Sequence, residues 1–329
     1  MLAPLDGQIL HALQLSPRAS FRRIGDVVGV PERAVARRYR ALRRDGVVRV
    51  VGLVNPLVCG ESQWIVRVHT KPDDLPRLAE ALARRPEVTH ANVLSGSTEL
   101  VCVVRAQLHD SGEGLLHRLP RTSSVLGIDV NLVLHVFGEP SNDVWTGYGH
   151  TLTGEQAAAL TEAPRPSRPH PVPPADDDLP LLDALAADGR TPHSQLADTL
   201  GWSPARVKRR IAALEASATL LYDVDVLPER LGFRVHAMVW MKVPARHLAD
   251  AAEQILAHRE IASVMAVSGT YNMVAVVIAA DVDQLYCYLT ERLAAVDHLS
   301  DYAVSVRARR LKQAGSLISR GRLIPAAHS

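Results

Sequence analysis

The chain has 329 residues, 47% of them apolar and 22% charged, and its 37 Lys/Arg against 35 Asp/Glu leave a formal charge of +2. That length suffices for two or more cored domains, and the composition excludes a wholly disordered or collagen-like chain. Cys59, Cys102 and Cys287 are odd in number, far apart and outside any Cys/His ligand spacing, so neither a disulfide framework nor a zinc site is expected.

From the N-terminus, MLAPLDGQIL lacks a basic flank followed by a sustained apolar run, so no signal peptide is expected. Periodicity predicts helices over Leu5–Gln14, Ser20–Val28 and Glu32–Arg44, the last two separated by a turn at Gly29 and Pro31. DGVVRVVGLV then changes to β character. Further on, strands are predicted at Gln63–His69, Val88–Leu94, Glu99–Ala106 and Ile128–Phe137, with helices at Asp74–Arg84 and Asp110–Leu119. The order β-α-β-β-α-β is that of a ferredoxin-like sandwich.

The plan then repeats. A shift of 172 residues superposes Asp6 on Asp178, Leu10 on Leu182, Arg18 on Arg190, Gly29 on Gly201, Val35 on Val207, Leu42 on Leu214 and Gly60 on Gly232. One further residue brings Gly96 onto Gly269. Matches in one order at one offset identify a tandem duplication. The second copy is predicted to have helices at Leu179–Ala187, Pro192–Leu200 and Pro204–Ala216. Its second half runs His236–Val243, Arg246–His258, Ala262–Val267, Met273–Ala280, Val282–Ala294 and Asp301–Leu311. The apolar run Met273–Ala280 is too short to span a bilayer and fits a buried strand. Between the copies, prolines 164, 166, 169, 171, 173 and 174 mark a linker, in which TGEQAAAL, Thr153–Leu160, is expected to make a short helix. A coil of about 35 residues spans roughly 30–35 Å.

These readings give an α+β chain with two copies of a tri-helical domain plus a βαββαβ domain. The expected boundaries are 1–54, 60–138, a linker over 139–177, 178–226, 232–313 and a C-terminal tail over 314–329.

On the helix Glu32–Arg44, Val35, Tyr39 and Leu42 form an inward stripe, while Arg33, Arg37, Arg40 and Arg44 recur at steps of four, three and four on another face. A basic third helix after a short turn is a helix-turn-helix arrangement. Its guanidinium groups suit phosphates and guanine edges of a DNA major groove. Arg38 on the same helix, Arg22 and Arg23 at the start of the preceding helix, and Arg49 beyond the third helix extend this DNA-binding set.

In the second copy the stripe becomes Ala205, Arg209, Ala212 and Ala216, and the cations left are Arg206, Lys208, Arg209 and Arg210. Met1–Gly60 holds ten Lys/Arg and four Asp/Glu, a net of +6, whereas Pro173–Gly232 holds six and ten, a net of −4. Fewer phosphate contacts mean weaker binding, so the first copy is expected to be the main DNA reader.

LDGQILHALQLSPRASFRRIGDVVGVPERAVARRYRALRRDGVV, its echo LPLLDALAADGRTPHSQLADTLGWSPARVKRRIAALEAS, and VMAVSGTYNMVAVVIAAD over Val264–Asp281 together resemble the Lrp/AsnC family of transcription regulators. The resemblance implies a winged helix-turn-helix domain followed by a sensor domain that dimerises and binds an amino acid or similar metabolite. It places the effector at the hairpins Ser95, Gly96, Ser97, Thr98, Glu99 and Ser268, Gly269, Thr270, Tyr271, Asn272. The first departs from the family's Gly-x-Tyr-Asp pattern through Thr98 and Glu99, and the second keeps Tyr271 but has Asn272 in place of Asp. The residues are equally those of tight β-hairpin turns.

The expected partners are double-stranded DNA and a small-metabolite effector, with no membrane, in a cytoplasmic protein. The two sensor domains are expected to pair within the chain as a pseudo-dimer, with a homo-oligomer also open. No catalytic motif, cofactor loop or metal spacing is evident, so no enzyme, cofactor or metal is expected. Two alternatives stand beside this reading: an enzyme resembling the sirohaem decarboxylases, which share the architecture, and a co-regulator that does not bind DNA.

Overall fold

The computed structural model describes residues 2–94, 96, 98–108, 114–138, 145–161 and 172–326. In chain order the first copy contains α1 (Pro4–Leu15), α2 (Phe21–Val28), α3 (Glu32–Arg44), β1 (Val48–Val54), β2 (Glu61–Thr70), α4 (Leu75–Ala83), β3 (Val88–Leu94), β4 (Glu99–Gln107), α5 (Leu115–Arg118) and β5 (Val125–Phe137). α6 (Gly154–Leu160) lies in the linker. The second copy contains α7 (Leu179–Ala187), α8 (His193–Leu200), α9 (Pro204–Ala216), β6 (Leu220–Val226), β7 (Val235–Lys242), α10 (Leu248–Leu256), β8 (Ile261–Val267), β9 (Met273–Ala279), α11 (Val282–Cys287) and β10 (Asp301–Gln313). β11 (Ser316–Ser319) and β12 (Arg322–Pro325) follow. No helix among the described residues is long and apolar enough to cross a membrane.

The chain divides into two compact units that group like with like. One holds Met1–Gly7, Gln63–Thr151 and Leu227–Lys312; the other holds Gln8–Ser62, Leu152–Val226 and Gln313–Ser329.

In the helical unit, local sequence sets the helix ends. The Arg23 amide donates to Ser20 Oγ at 3.1 Å to cap α2, which stops at Gly29 in the left-handed region, φ 81°. α8 stops the same way at Gly201, and Ser203 caps α9 by accepting from the Arg206 amide at 3.2 Å. Leu181, Leu185, Leu196, Val207, Ile211 and Leu214 form the second copy's core. Ile9, Leu10, Leu13, Ile24, Val35 and Tyr39 are buried in the first. Each large side chain so buried contributes about 1.5–3 kcal/mol before entropy is counted.

β1 and β6 pair antiparallel, from Val48 with Val226 to Val54 with Leu220. Val51 pairs with Asp223, its own counterpart at the 172-residue offset, so the pair sits on a local twofold axis.

In the sensor unit the strands close on themselves in the order β10-β3-β4-β2-β5-β8-β9-β7, with β7 returning to β10. The two long strands make the closure. β5 pairs with β2 through Leu132 and with β8 from Val133 to Phe137. β10 pairs with β7 from Asp301 to Val306 and with β3 from Arg307 to Lys312. Each copy therefore lends the far half of its last strand to the other copy's sheet. Ile65, Leu94, Val101, Trp240, Val267 and Val274, drawn from both copies, fill one shared core. The intrachain pairing of sensor domains is thus a feature of the fold.

Four segments differ from expectation. The helix expected over Val282–Ala294 is α-helical only to Cys287 and continues as a π-helix over Tyr288–Leu293. The helix predicted over Asp110–Leu119 is described only as Leu115–Arg118, because 109–113 lie outside the described residues. β5 starts at Val125, three residues early. The segment expected to be a tail is the β11–β12 hairpin, paired from Ser316 with Pro325 to Ser319 with Arg322. Within the linker, α6 is closed by a capping box between Thr153 and Gln156, and Trp145 packs edge-on against Phe233 at 4.8 Å.

Candidate nucleic-acid interface and ligand hairpins

α3 buries Val35, Tyr39 and Leu42 and leaves Arg33, Arg37, Arg40 and Arg44 exposed. Arg33, Arg37 and Arg40 make no ion pair among the described residues, while Arg44 lies 3.2 Å from Asp45. Arg43, next to this stripe, bridges to Asp188 at 2.8 Å. Arg38 is half-buried and engaged. On α2, Arg22 is exposed, but Arg23 donates to the carbonyls of Ala159 and Leu160 at 3.0 and 3.2 Å, which ties it to the end of α6.

Arg49 corrects its expectation. Expected in the DNA-binding set, it is instead 6% exposed and donates to Ser316 Oγ at 2.8 Å and to the Ala187 carbonyl at 2.5 Å. Asp225 is its cross-strand neighbour. Burial drives its pKa down, and Asp225 opposes that shift. Arg49 cross-links the unit from inside.

The surviving cations of α9 are largely occupied. Asp178 takes both the Nε and an Nη of Arg210, and it is itself 2% exposed. The Arg210 hydrogen bonds hold its carboxyl below the usual carboxylate range. Arg210, expected to contact DNA, therefore joins α9 to the start of α7. Arg206 stacks over Trp202 at 4.0 Å and stands 3.8 Å from Asp177. A groove of about 480 Å³ lies along these side chains and Arg209. Lys208 and Arg209 stay exposed without an ion pair among the described residues.

In the ligand hairpins, Ser95 and Ser97 lie outside the described residues. Gly96 and Gly269 have φ of 94° and 109°, conformations that favour glycine. Arg67 donates to Glu99 at 2.5 Å and stacks 4.8 Å from the Trp240 ring, so Glu99 belongs to a chain of contacts that crosses between copies. Thr98 accepts the Thr70 amide at 3.0 Å through its carbonyl, and Thr270 is exposed.

Ser268 Oγ accepts the Leu132 amide at 2.8 Å. Tyr271 reaches Asp301 at 3.4 Å through its hydroxyl. Asn272, expected to face a ligand, instead accepts from the Val243 amide at 3.0 Å and donates to the Val243 carbonyl at 2.7 Å. Both ends of its amide brace the end of β7. Sequence reading missed Arg67, Asn131 and Asp301, which touch these hairpins from other strands and carry no local motif. Among the described residues, no group of three or more His, Cys, Asp or Glu side chains is placed to hold a metal ion.

The model of the AsnC-type helix-turn-helix domain matches residues 4–43 and 176–215, and that of the Lrp/AsnC ligand binding domain matches 63–141 and 236–317. An uncharacterised helix-turn-helix-type transcriptional regulator of Pyrococcus furiosus is 29% identical over 139 residues, 41% of this chain and 94% of its own length. The transcriptional regulator Ptr1 of Methanocaldococcus jannaschii is 28% identical over 144 residues, 43% of this chain and 97% of its own. Each of these relatives has the length of one copy. The crystal structure of the siroheme decarboxylase NirDL shares the fold with a TM-score of 0.61 at 15% identity, over 94% of this chain and 93% of that one.

Proposed function

The chain belongs to the Lrp/AsnC family of transcription regulators, and from that membership we propose that it binds double-stranded DNA as an intrachain pseudo-dimer in which α3 is the principal reader. The observation that carries the reading is the exposed stripe of Arg33, Arg37, Arg40 and Arg44, set against an α9 whose equivalents are Ala205, Arg209, Ala212 and Ala216. Arg22 adds a phosphate contact from α2, and Lys208 and Arg209 make the weaker contacts of the second copy. Each phosphate neutralised contributes about 0.9 to the salt dependence of binding, so the first copy dominates both affinity and its loss in salt.

A small metabolite, an amino acid or a close relative of one, is the effector. Glu99 with Arg67, and Tyr271 with Asp301, are the polar groups that would meet its charged ends near Gly96 and Gly269. The test is genome-wide capture of DNA by the purified protein, with and without an amino-acid panel. Discrete enriched sites, altered by one member of the panel, support the reading; no enrichment and no mobility shift on any duplex contradict it.

The second reading is an enzyme acting on a tetrapyrrole, and its support is the whole-length fold likeness to NirDL. A Soret shift on adding sirohaem, in a protein that retards no DNA, favours that reading. The +6 charge of the first sixty residues, suited to phosphate, favours the DNA-binding reading over this one.

A further inference from the structure

The β11–β12 hairpin stands beside the C-terminal end of α3. The Leu323 amide donates to the Gly46 carbonyl at 3.0 Å, and the Arg322 guanidinium donates to the Arg44 carbonyl. Leu323 is 5% exposed, and Ser316 takes the buried Arg49. A Cβ on Gly46 would lie 2.6 Å from that of Arg322, so the hairpin backbone and the turn after α3 are in close contact. The dock is specific to the first copy. Ala218, the counterpart of Gly46, gives its carbonyl to the Asn55 side-chain amide instead, at 2.9 Å.

The hairpin's two-residue loop is Arg320-Gly321, with φ of 50° and 68°. Such a loop asks for positive φ at both positions, and Asn-Gly meets that demand with least strain. An arginine there is strained relative to asparagine or glycine. Arg320 is exposed and has no ion pair among the described residues. A strained, unpaired cation is thus carried at the tip of a hairpin fastened by backbone and buried contacts to the basic helix.

We propose that this hairpin is a wing for the first helix-turn-helix, and that Arg320 neutralises a DNA phosphate flanking the base pairs read by α3. The proposal rests on α3 being the DNA reader. The experiment measures affinity against salt for full-length wild type, Arg320→Asn, Arg320→Lys and Arg37→Ala, on a captured site and on a random duplex.

Arg320→Asn suits positive φ, so its melting temperature should equal or exceed that of wild type. Its salt slope should fall by about 0.9, with the same fold-weakening on both duplexes. Arg320→Lys should keep the wild-type slope. If Arg320→Asn binds with wild-type affinity and slope while Arg37→Ala is weakened, the wing is overturned and the α3 reading stands. If wild type binds neither duplex, both fall.

Discussion

Arg18 and Arg190 occupy the same position in the two copies, and each holds the other copy's loop. Arg18 donates to the carbonyls of Gly189 and Thr191, the second at 3.0 Å, and Arg190 donates to those of Pro17 and Ala19 at 2.5 and 2.8 Å. Arg190 also stacks over Phe21 and Tyr39, at 4.8 and 5.3 Å. Removing either guanidinium leaves two carbonyls without their charged donors. Hydrogen bonds to charged groups contribute about 1.5–3 kcal/mol each, so Arg18→Ala or Arg190→Ala, each losing two, should destabilise the protein by about 3–6 kcal/mol in urea titration. A loss below about 0.5 kcal/mol, the range of ordinary surface substitutions, would contradict the clasp.

His236 makes the sensor unit sensitive to acid. It is 2% exposed, with Nε2 3.3 Å from the Phe233 carbonyl and 3.6 Å from Glu229, and Nδ1 3.4 Å from Arg310. Arg307 stands beside it, paired with Glu229 at 2.5 Å. Burial first, then Arg307 and Arg310, push its pKa far below 6.5. A depressed pKa means that the unfolded chain takes the proton first. Stability is therefore full above about pH 6.5 and is lost as pH falls, by up to about 1.4 kcal/mol per unit for one such group. His236→Gln should flatten this limb between pH 7 and 5 in melting experiments; an unchanged limb would remove His236 as its source.

The two hairpin glycines should respond differently to a methyl group. Both have positive φ, but a Cβ on Gly269 would lie 2.3 Å from Asn131 Nδ2, whereas on Gly96 its nearest neighbour is Thr98 Oγ1 at 3.9 Å. Gly96→Ala should cost about 1–3 kcal/mol of backbone strain alone. Gly269→Ala should cost more, because it also displaces the Asn131 amide from the Ser268 carbonyl. Equal losses in parallel urea titrations would mean that Asn131 moves aside freely.

Acid should also loosen the second helix-turn-helix, through Asp178. Its pKa is held down by Arg210, so the ion pair stabilises fully above pH 3.8 and the contribution is lost as pH falls through the lower folded value. Asp178→Asn should remove that dependence and lower stability at neutral pH, because Arg210 then has only a neutral partner. Equal melting temperatures for wild type and variant at pH 7 would show that the pair contributes nothing.

Much of this was legible in the chain. The duplication shows in one-to-one matches such as Arg18 with Arg190, and the inward stripe Val35, Tyr39 and Leu42 is buried as its spacing requires. The sequence does not show which polar groups meet across long separations. Arg49 lies between Val48 and Val50 in a strand that reads as half-exposed, and its partner Ser316 is 267 residues away. Asp178 and Arg210 are 32 residues apart, and nothing in ADDDLP or VKRRI says that one will take both nitrogens of the other. SLISRGRLIP carried a usable signal, since a two-residue loop ending in glycine between apolar runs is a hairpin pattern.

The central claim is that the two copies, alike in scaffold, divide unequally in DNA contact. Its most direct measurement is a mobility-shift titration of Arg37→Ala and Arg209→Ala, equivalent positions on α3 and α9, against one captured site over a range of salt. The expected result is a large loss of affinity for Arg37→Ala, with a salt slope reduced by about 0.9, and a small change for Arg209→Ala. Equal losses from the two substitutions would contradict the account.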